Sequence, residues 1–138
     1  MQSFPQAPKT ERMKLGGPQR VLVVVDPPAL TQRMAEVIGS FPGLQLAGAF
    51  STAEDAMEWT VWDRGGWHFA FVDLNLKDGG SRELVQRLLS QPRPGTVVAI
   101  GAHLWKEIRQ ECAQMGVYHL LEKGDIVAYR GFLEEQVR

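Results

Sequence analysis

The sequence predicts a doubly wound α/β domain, with one five-stranded parallel sheet in the order 2-1-3-4-5 and helices on both faces. Three observations predict it. Short unbroken apolar runs at 21–25, 69–72 and 96–100 read as strands buried on both faces, and each breaks into polar, proline or glycine-rich sequence. Between them lie longer stretches with apolar residues at helical spacing. The two kinds of segment alternate five times, which forces parallel pairing through right-handed crossovers.

In chain order, residues 1–19 carry Pro5, Pro8, Pro18 and Gly16-Gly17 without periodicity and read as a mobile tail, of which Met13 and Leu15 are able to pack on the body. Residues 20–138 read as a single domain. The first strand, 21–25, runs out at Asp26. Pro27-Pro28 cannot extend a sheet but can open a helix. That helix is expected over 30–41, with Leu30, Met34, Val37, Ile38 and Phe41 on one stripe, ended by Pro42-Gly43. Residues 44–50 alternate as a second strand. Ser51 and Glu54 have capping-box spacing and open a helix to Asp63, before the Gly65-Gly66 break. The third strand, 69–72, leads to Asp73. Ser81 is expected to cap a helix carrying Leu84, Val85, Leu88 and Leu89, which Pro92 and Pro94 stop. The fourth strand, 96–100, ends at Gly101. A helix over 104–115 places Leu104, Ile108, Cys112 and Met115 on one stripe, and Gly116 terminates it. A short fifth strand, 118–121, runs out at Glu122-Lys123, and a last helix spans 126–137.

The totals narrow the function. A chain of 138 residues, 44% hydrophobic, suits one ordinary domain. A net charge of −1 with scattered basic residues argues against a nucleic-acid surface. One cysteine, Cys112, excludes an internal disulfide and fits a reducing compartment. There is no apolar run approaching the roughly 20 residues of a membrane span, and no signal-peptide core. A cytoplasmic protein with no membrane partner is the expectation. His68, His103 and His119 lie at no metal-ligand spacing. Gly79-Gly80 follows a strand but lacks the Lys-Ser/Thr pair or third glycine of a nucleotide cradle. Trp59, Trp62, Trp67 and Trp105 are each expected to be partly buried, with Trp105, early in the fourth helix, the one left exposed.

Three strand ends carry polar groups: Asp26, Asp73 and Lys123. In the order 2-1-3-4-5 the first and third strands are neighbours at the switch point, so Asp26 and Asp73 face each other across a crevice. Close carboxylates repel unless a cation sits between them. Mg²⁺ suits such oxygen ligands, and Lys123 supplies a mobile point charge for a phosphoryl oxygen. This set would serve attack by a carboxylate on phosphorus.

The run Phe71-Val72-Asp73-Leu74-Asn75-Leu76, together with Lys123 at the end of the fifth strand, resembles the receiver domain of bacterial two-component response regulators, in a divergent form. The resemblance covers about residues 20–138 and implies a flavodoxin-like fold. It further implies that Asp73 accepts a phosphoryl group from a histidine kinase, a phosphotransfer protein or a small phosphodonor. Asp26, Asp73 and the Asn75 carbonyl would hold Mg²⁺, and Lys123 would pair with the phosphoryl group. A receiver of this kind is not a metabolic enzyme, though it catalyses its own phosphotransfer and dephosphorylation. Its output is contact with a downstream protein through the fourth helix, fifth strand and fifth helix, here the surface around Trp105, Glu107 and Tyr118. No direct nucleic-acid contact is implied, and a monomer or weak homodimer is expected.

Several residues depart from the family pattern. Asp26 stands alone where the family has two adjacent acids, with Val25 replacing the other; in the alternative register Pro27 replaces the direct metal ligand. Gly101 stands at the switch Ser/Thr position and Leu120 at the switch aromatic. Lys77 and Gly124 stand where proline is common. These departures raise a second reading, a pseudo-receiver whose binding does not depend on phosphorylation. A third is a flavodoxin-like enzyme binding flavin or nucleotide, against which the lack of a hydroxyl- and glycine-rich phosphate cradle speaks. With no sequence after the last helix, the expectation is a stand-alone module.

Overall fold

The computed structural model describes residues 17–63 and 65–138. Met13 and Leu15 lie outside them. In chain order the elements are β1 (Gln19–Val24), α1 (Pro28–Gly39), β2 (Leu44–Phe50), α2 (Ala53–Trp62), β3 (Phe69–Asp73), α3 (Ser81–Leu89), β4 (Thr96–Gly101), α4 (Lys106–Met115), β5 (His119–Glu122) and α5 (Ile126–Gln136). The strands form one five-stranded parallel sheet in the order β2-β1-β3-β4-β5. The alternation of buried runs and amphipathic stretches thus gives the expected architecture.

The sheet separates two apolar cores. Leu22, Val24, Ala70, Val72, Val97 and Ala99 face α2, α3 and α4. Val21, Val23, Phe71, Val98 and Ile100 face α1 and α5. Successive strand residues point to opposite faces, so a central strand covered on both sides must be apolar throughout. All five residues of β3 are buried accordingly. Phe71 is fully buried and meets Tyr129 edge-on with ring centroids 4.8 Å apart. The Tyr129 hydroxyl donates to the Met34 carbonyl at 2.9 Å, which satisfies it in the core and ties α5 to α1. Burial pushes this phenol's pKa well above the ordinary tyrosine range.

Three local expectations are corrected. Helix α1 opens at Pro28 rather than Leu30, because the missing N–H of a proline costs nothing in the first turn. The cap of α2 is Thr52, whose hydroxyl accepts the Asp55 N–H at 3.2 Å, not a Ser51–Glu54 box. The other free amides of that turn are taken by a distant residue: Asp78 accepts the Ala53 and Glu54 N–H groups at 3.2 and 3.0 Å. The Glu54 bond is the main cause holding the Asp78 carboxyl below its usual pKa, against a smaller opposing effect of burial. Finally, α4 begins at Lys106, leaving Leu104 and Trp105 in the preceding loop. Gly116 ends it in the left-handed conformation, φ 93°.

Candidate functional site at the carboxyl ends of the strands

Strands β1, β3 and β5 end on the same edge of the sheet, and their last residues meet there. Val25 is fully buried and packs in the α1/α5 core, so the chain turns its next side chain, Asp26, toward β3. The Thr31 hydroxyl donates to the Val25 carbonyl at 2.6 Å and fixes this turn. Asp73 ends β3 and is fully buried; Asp26 is 6% exposed. The Asp26 amide donates to Asp73 Oδ2 at 3.3 Å, which sets the two acids side by side.

Two buried carboxylates at this distance need a cation. Lys123 supplies it. Its Nζ lies 2.6 Å from Asp73 Oδ2 and 3.1 Å from Asp26 Oδ1. The Lys123 amide donates to the Gly101 carbonyl at 2.9 Å, which seats the side chain over the sheet edge. Burial alone pushes the ammonium pKa down, but hydrogen bonds and charges from Asp73 and Asp26 outweigh it and raise the pKa above the ordinary lysine value.

The two remaining carboxylate oxygens are also taken. Asp73 Oδ1 accepts the Asn75 N–H at 2.9 Å. Asp26 Oδ2 accepts the Lys77 N–H at 2.9 Å, across 51 residues of sequence. A proline at position 77 would have no such proton to give. Ser81, expected as a helix cap, makes no capping bond. Its buried hydroxyl instead donates to the Asp73 carbonyl at 2.7 Å and accepts the Leu76 N–H at 3.1 Å, closing the loop after β3 onto the strand.

Mg²⁺ takes several oxygen ligands at short range. Here every oxygen of the acid pair already accepts a bond from nitrogen, and the place between the acids is held by Nζ. Among the described residues no group of three or more acidic, histidine or cysteine side chains is placed to hold a metal. Asp26, Asp73 and the Asn75 carbonyl are the groups that would hold Mg²⁺, and in this arrangement the Lys123 ammonium stands between the two acids.

No protein-family model matches the sequence, and no curated protein matches it. Solved structures do. The receiver domain (CheY-like) from Methylobacillus flagellatus is 25% identical, aligns over 87% of this chain and 99% of its own, and superposes with a TM-score of 0.66. The response regulator domain of Thermotoga maritima CheB is 18% identical over 86% of this chain and 93% of its own, with a TM-score of 0.72. The Mn²⁺-bound form of the response regulator Rcp1 is 18% identical over 86% of this chain and 91% of its own, with a TM-score of 0.66. The chain has the receiver-domain fold.

On that fold, the positions singled out in the sequence divide into two places. Asp26, Asp73, Asn75 and Lys123 converge, as described. Gly101 borders them at the end of β4, where a side chain would meet the terminal methyls of two leucines. A Cβ on Gly101 would stand 2.8 Å from Leu104 Cδ2 and 3.3 Å from Leu74 Cδ1. Leu120, partly buried, packs against the α2/α3/α4 core. Away from the acids, Trp105 and Tyr118 are 65% and 72% exposed, and Glu107 is exposed beside them. Trp105 lies just before α4 and stacks on His103 with centroids 5.4 Å apart, which props the indole outward. Sequence reasoning missed the Lys77 amide and the Ser81 bridge. The signal for the first was present, since a non-proline residue in that loop keeps a donor; nothing local announced the second.

Proposed function

We propose that this chain is a receiver-type signalling module that works by protein contact, with Asp73 at the phosphoacceptor position but held in a closed cluster. The observation that carries the reading is the convergence of Asp26, Asp73 and Lys123 from three strand ends, with Asp73 fully buried and Lys123 2.6 Å from it. A carboxylate oxygen must reach phosphorus along the line of the leaving group. Asp73 is exposed to no solvent, and both of its oxygens accept bonds, so transfer to it waits on the cluster opening and is slow. In the transfer, Asp73 would form the new O–P bond as the donor's O–P or N–P bond breaks, and Lys123 would follow the charge onto the phosphoryl oxygens.

The second half of the proposal concerns output. A modification shifts a surface only by interacting differently with its two states. The receiver switch pulls a hydroxyl and an aromatic ring toward the phosphoryl group, and Gly101 and Leu120 supply neither. The surface of Trp105, Glu107 and Tyr118 therefore binds its downstream protein largely independently of phosphorylation, with Trp105 as an aromatic anchor. The upstream partner is a histidine kinase or phosphotransfer protein, and no metal-bound step is required for the contact.

The test has two readouts. Incubation with acetyl phosphate and Mg²⁺, followed by intact mass, is expected to give a minor phosphoryl adduct that Asp73→Asn lacks. Partner affinity is expected to stay within tenfold, about 1.4 kcal/mol, with and without beryllofluoride. Rapid stoichiometric labelling would refute the closed cluster; a larger affinity change would refute phosphorylation-independent output.

A further inference from the structure

Residues 74–80 join β3 to α3 beside the acid pair. Asn75, Lys77, Asp78 and Gly79 are exposed, while Leu76 is buried and pins the segment to the α2/α3/α4 core. Two neighbouring residues fasten it to two other elements. The Lys77 amide donates to Asp26 Oδ2, just beyond β1, at 2.9 Å. The Asp78 carboxylate accepts the Ala53 and Glu54 amides at the start of α2, at 3.2 and 3.0 Å. Gly80 seats the far end on α2, since a Cβ there would stand 2.8 Å from Ala53 Cβ.

The fastening at α2 is the one able to let go. Asp78 is at the surface, where water replaces a lost hydrogen bond at little cost. Without it α2 keeps a cap of its own, because the Thr52 hydroxyl accepts the Asp55 amide. Glu54 and Asp55 still complement the positive end of the helix. Gly79 supplies the pivot. Its φ of 74° suits glycine, and nothing lies within 4 Å of where a Cβ would stand, so the 77–79 turn has room to move while Leu76 stays in the core.

We propose that Asp78 is a positioning residue for the acid pair: by holding the 77–79 turn on α2 it keeps the Lys77 amide on Asp26, and its release admits a divalent cation to the pair. The inference rests on the receiver reading of Asp26, Asp73 and the Asn75 carbonyl as the groups that would hold Mg²⁺. Release uncovers Asp26 Oδ2 and frees the segment that carries the Asn75 carbonyl. A site that is mostly closed binds with an affinity lowered by the fraction that is open, so loosening the turn tightens binding without adding a ligand. A carboxylate that acted only through its charge would do the reverse, because removing it makes the surroundings less attractive to a cation.

The experiment titrates the full chain with MgCl₂ by calorimetry, in wild type, Asp78→Ala, Asp78→Asn, Lys77→Pro and the double variant Lys77→Pro/Asp78→Ala. Amide hydrogen exchange of the same proteins is followed by NMR. Asp78→Ala is expected to bind Mg²⁺ about fivefold or more tightly than wild type, within the usual range of coupling between linked sites. Asp78→Asn, which keeps one acceptor oxygen, should fall between them. Adding Asp78→Ala to Lys77→Pro should change nothing further, since the amide it positions is already gone. The protection of the Lys77 amide should fall in Asp78→Ala by more than that of the β3 amides. The proposal is overturned if Asp78→Ala leaves Mg²⁺ affinity unchanged or weaker, if its effect persists undiminished beside Lys77→Pro, or if the Lys77 amide loses no more protection than β3. Acetyl phosphate labelling read by intact mass separates this from the reading beneath it. Absence of an Asp73 adduct in wild type and Asp78→Ala alike, beside the expected Mg²⁺ and exchange results, sinks the receiver reading and leaves the role of Asp78 standing. An Asp73 adduct with unchanged Mg²⁺ affinity sinks the role of Asp78 alone.

Discussion

Replacing Lys123 by methionine removes one charge, keeps the length of the side chain, and exposes how the acid pair is held. The side chains of Asp73 and Asp26 are 0% and 9% exposed, and that of Lys123 is 24% exposed. Removing one member of a buried ion pair costs about 3–5 kcal/mol, because the remaining charge is stranded. Water reaches Lys123 from one side and would solvate part of the stranded charge, which lowers the expected cost to about 2–3 kcal/mol, at and just below that range. For a domain of this size each kcal/mol shifts the melting temperature by about 4 °C, giving a fall of about 8–12 °C. Differential scanning calorimetry of wild type and Lys123→Met at neutral pH measures it. Adding Asp73→Asn to Lys123→Met should recover more than half of the loss, since a single remaining acid has no like charge beside it. Millimolar Mg²⁺ should raise the melting temperature of Lys123→Met more than that of wild type, as the ion enters the place Nζ has left. A loss under about 0.5 kcal/mol, the level of an ordinary surface change, would refute the argument, as would equal Mg²⁺ effects on both proteins.

Three further outcomes follow from the same geometry. Lys77→Pro deletes the N–H that occupies Asp26 Oδ2 and is expected to tighten Mg²⁺ binding by calorimetric titration; unchanged or weaker binding would show that this amide does not compete with the ion. Gly101→Thr alone is not expected to create a beryllofluoride-dependent change in partner affinity, because Leu120 still supplies no ring, whereas Gly101→Thr with Leu120→Tyr should do so; a response from the single variant contradicts this. The raised Lys123 pKa means that the folded state binds this proton more tightly than the unfolded chain does. Its stabilisation is therefore complete below the ordinary lysine pKa of about 10.4 and is lost as pH climbs through the higher folded value. The melting-temperature gap between wild type and Lys123→Met should be flat from pH 7 to 9 and shrink at more alkaline pH; a gap that closes already below pH 9 would reverse the assigned direction.

Much of this protein was legible without coordinates. Valine-rich runs such as 21–25 can only be strands covered on both sides, and the helices between them leave parallel pairing as the way to bury both faces. Once the order is fixed, Asp26, Asp73 and Lys123 need no contact information to be placed together, because each follows the last apolar residue of a strand and strand ends share one edge. What only the tertiary structure decided is which partner each polar group takes. Ser81 has the sequence context of a cap, but the Asp73 carbonyl leaves the sheet at a point where it needs a donor, and the hydroxyl goes there instead. The free amides at the start of α2 are taken by Asp78, over 20 residues away. The Lys77 amide meets Asp26 across 51 residues. Apolar burial is non-directional, so its pattern survives in the sequence as periodicity. Hydrogen bonds and ion pairs are directional and short-ranged, and their partners are chosen only when the packed chain sets donor and acceptor within about 3 Å of each other.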